Sequence, residues 1–211
     1  MKKFLLTAGL LTALTPALAS PDICPPEGDG GDLVLNRLKN RVTAPSSYHE
    51  LTVSEFLKEF PALHTPRRTN RYNAAQAAAI TPREQEGVEL VGYLLAAKQS
   101  GPEATNCHSK TRRDDHVWIG AVKPSSPAEA KAERAQAVIV EPTPNTLALH
   151  KSWRLHTLQQ LTRQEAKVRI SGWVMYDPEH PDQIGKTRGT LWEVHPVTRI
   201  EVWSGGQWRE L

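Results

Sequence analysis

The residues of this chain best suited to chemistry are histidines and carboxylates near the ends of apolar segments. Glu193 and His195 are two positions apart, so on a β-strand their side chains lie on the same face. His116 begins another apolar segment and Glu141 ends a third. Imidazole and carboxylate groups bind zinc and similar divalent ions, which promote attack of water on esters and phosphodiesters. These four residues predict a metal site, with zinc as a candidate cofactor, in a nuclease-like hydrolase.

A simpler interpretation is open for the same residues. Glu193 and His195 could form a hydrogen-bonded pair at a strand end that fixes the turn at Pro196. The chain contains no H-E-x-x-H, C-x-x-C or D-x-D-x-D-G motif, each of which would indicate a particular metal site. It also lacks the G-x-S-x-G pattern of a serine nucleophile, so we predict no catalytic nucleophile and, under this interpretation, no cofactor.

Apolar segments in the second half of the chain predict the strands that position these residues. A helical pattern with leucines spaced by three, residues 153–161, lies between the third and fourth strands. Three strands, a helix and two more strands are the succession of a five-stranded OB-fold barrel, although another five- or six-stranded α+β arrangement stays open. The predicted strands are 88–97, 116–122, 136–141 and 167–176, followed by a last stretch in two pieces, 189–195 and 197–203, broken by Pro196.

The N-terminal region has two different parts. Residues 1–20, MKKFLLTAGLLTALTPALAS, combine two lysines, an apolar run and the small residues of a signal-peptidase site, which predicts cleavage near Ala19. We therefore expect a secreted or periplasmic protein, and no apolar run is long enough to span a membrane. The predicted organisation is β-rich α+β, with a signal peptide at 1–19, a linker and short helices at 20–84, and an OB-like barrel at 85–211.

Charge and cysteine content limit the function classes. The net charge of +3 falls to about +1 without Lys2 and Lys3, which argues against general binding of polyanions. The two cysteines, Cys24 and Cys107, are expected to form a disulfide in an oxidising compartment. The alternative is two free thiols too far apart to pair.

The outer face of the predicted barrel suggests a second function. Strand alternation places tryptophans and arginines together there, and OB-folds bind oligonucleotides and oligosaccharides through aromatic stacking beside positive charge. The principal hypothesis is thus a non-catalytic binding module for an extended polymer. The alternatives are that the tryptophans pack beneath the N-terminal helices, or that the protein has a structural or interaction role in the cell envelope. The candidate ligand-binding residues are Trp118, Arg169, Trp173, Arg188 and Arg199.

Several stretches resemble an uncharacterised family of secreted bacterial proteins with an OB-fold-like body. The resemblance covers most of the chain after the predicted signal, and it implies a fold but no reaction. The stretches are LNRLKNR (35–41), GPEATNCH (101–108), DDHVWI (114–119), VRISGWVMYDPEH (168–180) and RGTLWEVHPVTRIEVW (188–203).

Overall fold

The computed structural model describes residues 24–63 and 73–211, so the predicted signal peptide lies outside the described residues. None of the helices within those two ranges is long and apolar enough to cross a membrane. The described helices are α1 (Leu33–Lys39), α2 (Val53–Glu59), α3 (Ala74–Ile80), α4 (Pro127–Glu133), α5 (Pro144–Leu149) and α6 (Leu155–Arg163). The strands are β1 (His49–Thr52), β2 (Gly87–Gln99), β3 (Asp115–Gly120), β4 (Val138–Val140), β5 (Lys167–Tyr176), β6 (Trp192–Ser204) and β7 (Gln207–Glu210).

Five of the strands close into a barrel in the order β2–β3–β4–β6–β5, and β5 pairs back to β2. β4 and β6 are parallel, whereas the other pairs in the barrel are antiparallel. α5 and α6 connect β4 to β5, the position where the sequence predicts a helix. The predicted β-rich α+β fold with an OB-fold-like barrel is therefore confirmed.

The structure differs from the predicted strands in two ways. β1 runs parallel to β2 and β7 pairs with β6, and neither strand is predicted from the sequence. The predicted interruption at Pro196 is wrong, because β6 continues through it and the His195–Pro196 peptide bond is cis. Pairing resumes directly after the proline, where the Val197 N–H donates to the Glu141 carbonyl at 3.1 Å.

One hydrophobic core fills the barrel. Val117, Ile170 and Ile200, which the strand patterns assign to the interior, are each at most 2% exposed and belong to the same cluster. Phe56 and Phe60 at α2 join this cluster. Burying side chains of this size stabilises the fold by about 1.5–3 kcal/mol each.

β2 belongs to two walls of the barrel. Its first half pairs with β5 and its second half with β3. Gly92 lies close to the change of partner, and a Cβ atom there would be 2.6 Å from both the Gly120 carbonyl oxygen and Ile119 Cγ2. Glycine is thus required at position 92, because β2 and β3 approach each other too closely there to leave room for a Cβ atom.

The N-terminal segment is fastened to the loop between β2 and β3. The predicted disulfide between Cys24 and Cys107 is formed. The Asn40 side chain donates hydrogen bonds to the Pro26 and Thr105 carbonyls, both at 3.0 Å. These links place α1 against the outer wall of the barrel, where Lys39 is buried.

Candidate functional site

Three neighbouring strands of the barrel bring Asp114, Glu141 and His195 together. Asp114 immediately precedes β3, Glu141 immediately follows β4, and His195 lies within β6. β4 pairs with β3 on one side and with β6 on the other. The Glu141 N–H continues the second ladder by donating to the Val194 carbonyl at 3.0 Å. The strand pairing of the barrel therefore fixes the backbone positions of these three residues relative to one another.

The three side chains form a compact cluster. One donor atom from each lies within 4.8 Å of the other two. His195 Nδ1 is 3.3 Å from Glu141 Oε2, and His195 Nε2 is 3.8 Å from Asp114 Oδ2. These side chains are at most 8% exposed. Two carboxylates and an imidazole are a donor set that suits zinc and related divalent ions.

Buried atoms of the cluster have unused bonding capacity. Both ring nitrogens of His195 and Asp114 Oδ2 are buried without a hydrogen-bond partner. Leaving a buried polar atom unsatisfied costs about 1–3 kcal/mol, and more for a charged group. A bound cation would satisfy Asp114 Oδ2 and one of the two ring nitrogens, so the residues present fit a divalent metal ion.

The other two predicted metal ligands lie at the edge of the same cluster. His116 Nδ1 is 2.8 Å from Glu141 Oε1, and Glu193 Oε2 is 3.5 Å from His195 Nδ1. His116 Nε2 has no hydrogen-bond partner. All four residues of the predicted set therefore converge, and the structure adds Asp114 to them.

Arg188 extends the cluster towards the surface. Its Nη1 atom donates to Glu193 Oε1 at 2.7 Å and to Asp177 Oδ2 at 2.9 Å. Asp177 Oδ2 also lies 2.6 Å from Nδ1 of His180, whose side chain is partly exposed. A continuous series of ionisable groups thus runs from the buried metal-type cluster to the rim of the site.

Burial and mutual charge shift the pKa values of the cluster. Burial raises the pKa of Asp114 to about 7, against the favourable charge of His195. Burial opposes protonation of His195, but the nearby Glu193 carboxylate and the charges of Glu141 and Asp114 raise its pKa. Burial also opposes ionisation of Glu141, yet His116 and His195 lower its pKa. Metal ligands must lose their protons, so a divalent ion would compete with the proton on His195.

The groups towards the rim stay charged. Burial disfavours the ionised form of Asp177, but the hydrogen bond with His180 and the charge of Arg188 lower its pKa. Burial disfavours the charged form of Lys39 as well, but the charges of Glu103 and Asp177 raise its pKa. A buried ammonium group thus faces buried carboxylates across the site.

A cavity of about 350 Å³ opens beside these groups. Its walls come from the β2–β3 loop, the β5–β6 loop and α1, and OB-folds commonly bind ligands between the two corresponding loops. The cavity therefore occupies the usual ligand position of this fold. Its lining includes Lys39, Glu103, His116, Glu141, Asp177, His180 and Glu193.

A second cavity, of about 410 Å³, lies beside the disulfide. Most of its lining consists of neutral amides and hydroxyls. Two of these amides bond to each other, since the Asn145 side chain donates to Asn40 Oδ1 at 3.1 Å. Although it is the larger of the two, this cavity lacks a converging set of ionisable groups, so we assign the chemistry to the smaller one.

Comparisons with known proteins identify no relative: no family model matches the chain, and no curated protein or solved structure is significantly similar to it. The resemblance to secreted bacterial proteins therefore stays a prediction. The function has to be argued from the chemistry of the site itself.

Two residues predicted to bind a polymer are not on an exposed face, contrary to the prediction. Trp118 is 5% exposed, and its Nε1 donates to the Thr187 carbonyl at 2.7 Å. Arg188 is fully buried between Glu193 and Asp177. The physical reason is that the β5–β6 loop folds over this wall of the barrel and carries Arg188 inward.

The other three candidates lie on a partly exposed face but have partners. The Trp173 ring lies under the Arg41 guanidinium, 4.4 Å away, and its Nε1 donates to the Thr43 carbonyl, so it packs against the N-terminal segment. Arg169 donates two hydrogen bonds to Glu201, at 2.7 and 2.8 Å, and Arg199 donates to Glu89. Their role in ligand binding stays a prediction.

Sequence reasoning missed Asp114 and Lys39. The available signal for Asp114 is a pair of acidic residues directly before a predicted strand, where a side chain reaches the end of a barrel. The LNRLKNR stretch contains Lys39, but nothing in its spacing indicates that α1 packs beside the cavity.

Proposed function

We propose that this protein is a divalent-metal-dependent hydrolase that acts on a small substrate group bound in the 350 Å³ cavity. The proposal is carried by the convergence of Asp114, Glu141 and His195, whose buried donor atoms include three without a hydrogen-bond partner. When bound, a divalent ion such as zinc supplies a Lewis acid that polarises an ester or phosphoester and makes water more acidic.

His116 is the residue best placed to move a proton. Its Nδ1 faces Glu141 at 2.8 Å, and the residue lines the cavity. A carboxylate that holds one nitrogen of a histidine leaves the other, here the unpartnered Nε2, to accept or donate a proton.

Lys39 and Arg188 have different roles in this proposal. Lys39 lines the cavity and stays charged, so it can bind an anionic oxygen of the substrate. Arg188 does not line the cavity and acts by holding the carboxylates of Glu193 and Asp177 in place. It is therefore a positioning residue.

The first test measures metal binding by isothermal titration calorimetry, with Zn²⁺ or Mn²⁺ added to chelator-treated protein. We expect one ion per chain, and a loss of affinity of at least about tenfold in His195→Gln and Asp114→Asn. The matched control is Asp115→Asn, which changes the adjacent buried carboxyl outside the cluster and retains affinity. No binding by the wild type, or equal binding by Asp114→Asn, overturns the proposal.

The second test measures hydrolysis of bis(p-nitrophenyl) phosphate and p-nitrophenyl acetate, which separate phosphodiester from carboxylic ester chemistry. We expect turnover that requires the ion and falls by about 10²–10⁴ in His116→Gln, because general acid–base catalysis contributes by that factor. Calorimetry on His116→Gln checks that the ion still binds. Binding of the ion without turnover of either substrate overturns the hydrolase assignment and leaves a metal-binding protein.

We further infer a secreted or periplasmic location, supported by the disulfide between Cys24 and Cys107, since disulfides persist in oxidising compartments. Signal cleavage stays a prediction, and so does the structural role in the envelope. The polymer-binding hypothesis also stays a prediction.

A further inference from the structure

A row of three aromatic side chains and one lysine crosses the outer wall of the barrel. Trp208 on β7 is directly opposite Trp203 on β6, and Lys167 on β5 is directly opposite Tyr93 on β2. Val168 pairs with Val202, so the neighbouring positions Lys167 and Trp203 also face each other. Opposite residues on paired strands point to the same face. The four side chains therefore form one transverse row, about 14 Å long at the usual strand spacing.

The row is partly exposed, and cations contact two of its rings. Trp203 is 44% exposed, and its ring meets Trp208 edge-on with centroids 5.1 Å apart. Lys167 Nζ lies 5.8 Å and 5.9 Å from the two ring centroids. The Arg169 guanidinium lies 5.0 Å from the Trp208 centroid. Cation–π contacts of this kind fix the rings in one orientation before a ligand arrives.

The charges beside the row are compensated. Arg169 is bound by Glu201 through two hydrogen bonds, and Arg199 is bound by Glu89. Glu210 pairs with Glu201 across β7 and β6, which adds a further acid to the same face. Nucleic acids are bound chiefly through uncompensated lysines and arginines that displace counterions. A face on which acids balance the arginines favours an uncharged ligand.

We propose that Trp203, Trp208 and Tyr93 form a binding surface for a neutral polysaccharide. The apolar face of a sugar ring packs on an exposed indole. The hydroxyls of the sugar form hydrogen bonds with the adjacent charged pair, Arg169 and Glu201. A linear row suits an extended chain that lies across the strands. None of these residues lines the 350 Å³ cavity, so this surface is separate from the proposed hydrolytic site.

The test titrates the full-length folded protein with cellohexaose and chitohexaose, and with a twelve-nucleotide oligo(dT) at low salt, by tryptophan fluorescence and calorimetry. We expect binding of at least one of the two saccharides. Trp203→Thr should weaken it about tenfold or more, as expected for loss of one stacking ring. Threonine keeps the strand preference of the position, and thermal unfolding checks the fold of the variant.

Two further variants make the outcome decisive. Leu149→Ala removes an exposed apolar side chain elsewhere and should leave saccharide binding unchanged. His195→Gln should also leave it unchanged, which separates this proposal from the metal site. No saccharide binding, equal binding by a folded Trp203→Thr, or oligo(dT) binding that falls steeply with salt would each overturn it, the last in favour of nucleic acid.

Discussion

Glu141 contacts β6 on both sides of His195 as well as contacting His195 itself. Its Oε2 lies 3.3 Å from His195 Nδ1, its N–H donates to the Val194 carbonyl, and its own carbonyl accepts from the Val197 N–H. The side-chain cluster is therefore built into the strand pairing of the barrel. A preorganised site of this kind loses little entropy when it binds an ion.

We expect the metal ion to stabilise the folded protein. At a concentration one hundred times the dissociation constant, ligand binding adds about 2.7 kcal/mol to the free energy of unfolding. For a chain of this size that corresponds to a rise in Tm of roughly 5–10 °C. Scanning calorimetry with zinc and then with excess EDTA measures it. Asp114→Asn, whose affinity is at least about tenfold lower, should show at most about half of this rise, and an equal rise in this variant would contradict binding at the cluster.

Replacing Arg188 by methionine should be strongly destabilising. Its loss leaves Asp177 and Glu193 buried without their guanidinium partner, and breaking a buried pair costs about 3–5 kcal/mol. Urea denaturation measures the free energy of unfolding. The control is Arg37→Met, which breaks an exposed pair with Glu27 and should cost at most about 1 kcal/mol. Equal losses in the two variants would refute a structural role for the buried pairs.

Much of the barrel could be predicted because its strands carry their own pattern. Val117 and Ile119 alternate with His116 and Trp118, and the first two are in the core. β1 and β7 escaped prediction since each has four residues and no apolar alternation. These two strands form because they pair with longer strands, β2 and β6. A local sequence pattern does not show which distant strand a segment will pair with.

The site was predictable only where its residues share a strand. The spacing of two puts Glu193 and His195 on one face, and the structure keeps them there. Lys39 arrives through a distant helix tied down by a disulfide, so no local spacing encodes its position. Alternation also assigned Trp118 to the outer side correctly, but it could not tell that the β5–β6 loop covers that side.

Glu84 should make stability depend on pH. Burial raises the pKa of Glu84 from its ordinary 4.5 to about 7, against a hydrogen bond from the Tyr176 N–H and the charge of Arg41. The folded protein therefore binds this proton more tightly than the unfolded chain. The stabilisation is fully present below about pH 4.5 and is lost as the pH rises through about 7.

Glu84→Gln tests this dependence, because the glutamine oxygen can still accept from the Tyr176 N–H. Between pH 5 and pH 8 the wild type should lose roughly 1–3 kcal/mol of unfolding free energy through Glu84, and the variant should not show this loss. Urea denaturation at both pH values gives the difference. Parallel changes in the two proteins would show that Glu84 does not titrate in this range.

Removing the disulfide should weaken the fold but leave the folded metal site intact. Cys24 and Cys107 are separated by 83 positions, and in the loop-entropy model such a bridge contributes about 4–5 kcal/mol by restricting the unfolded chain. The double variant Cys24→Ser/Cys107→Ser should lose this amount in urea denaturation, and a reductant should lower the wild type to the same level. In this variant the Asn40 side chain still links α1 to the Thr105 carbonyl. Its zinc affinity, measured at urea concentrations below the unfolding transition, should therefore equal that of the wild type. A small loss of stability combined with a large loss of affinity would instead mean that the bridge acts on the native state, by holding Lys39 beside the cavity.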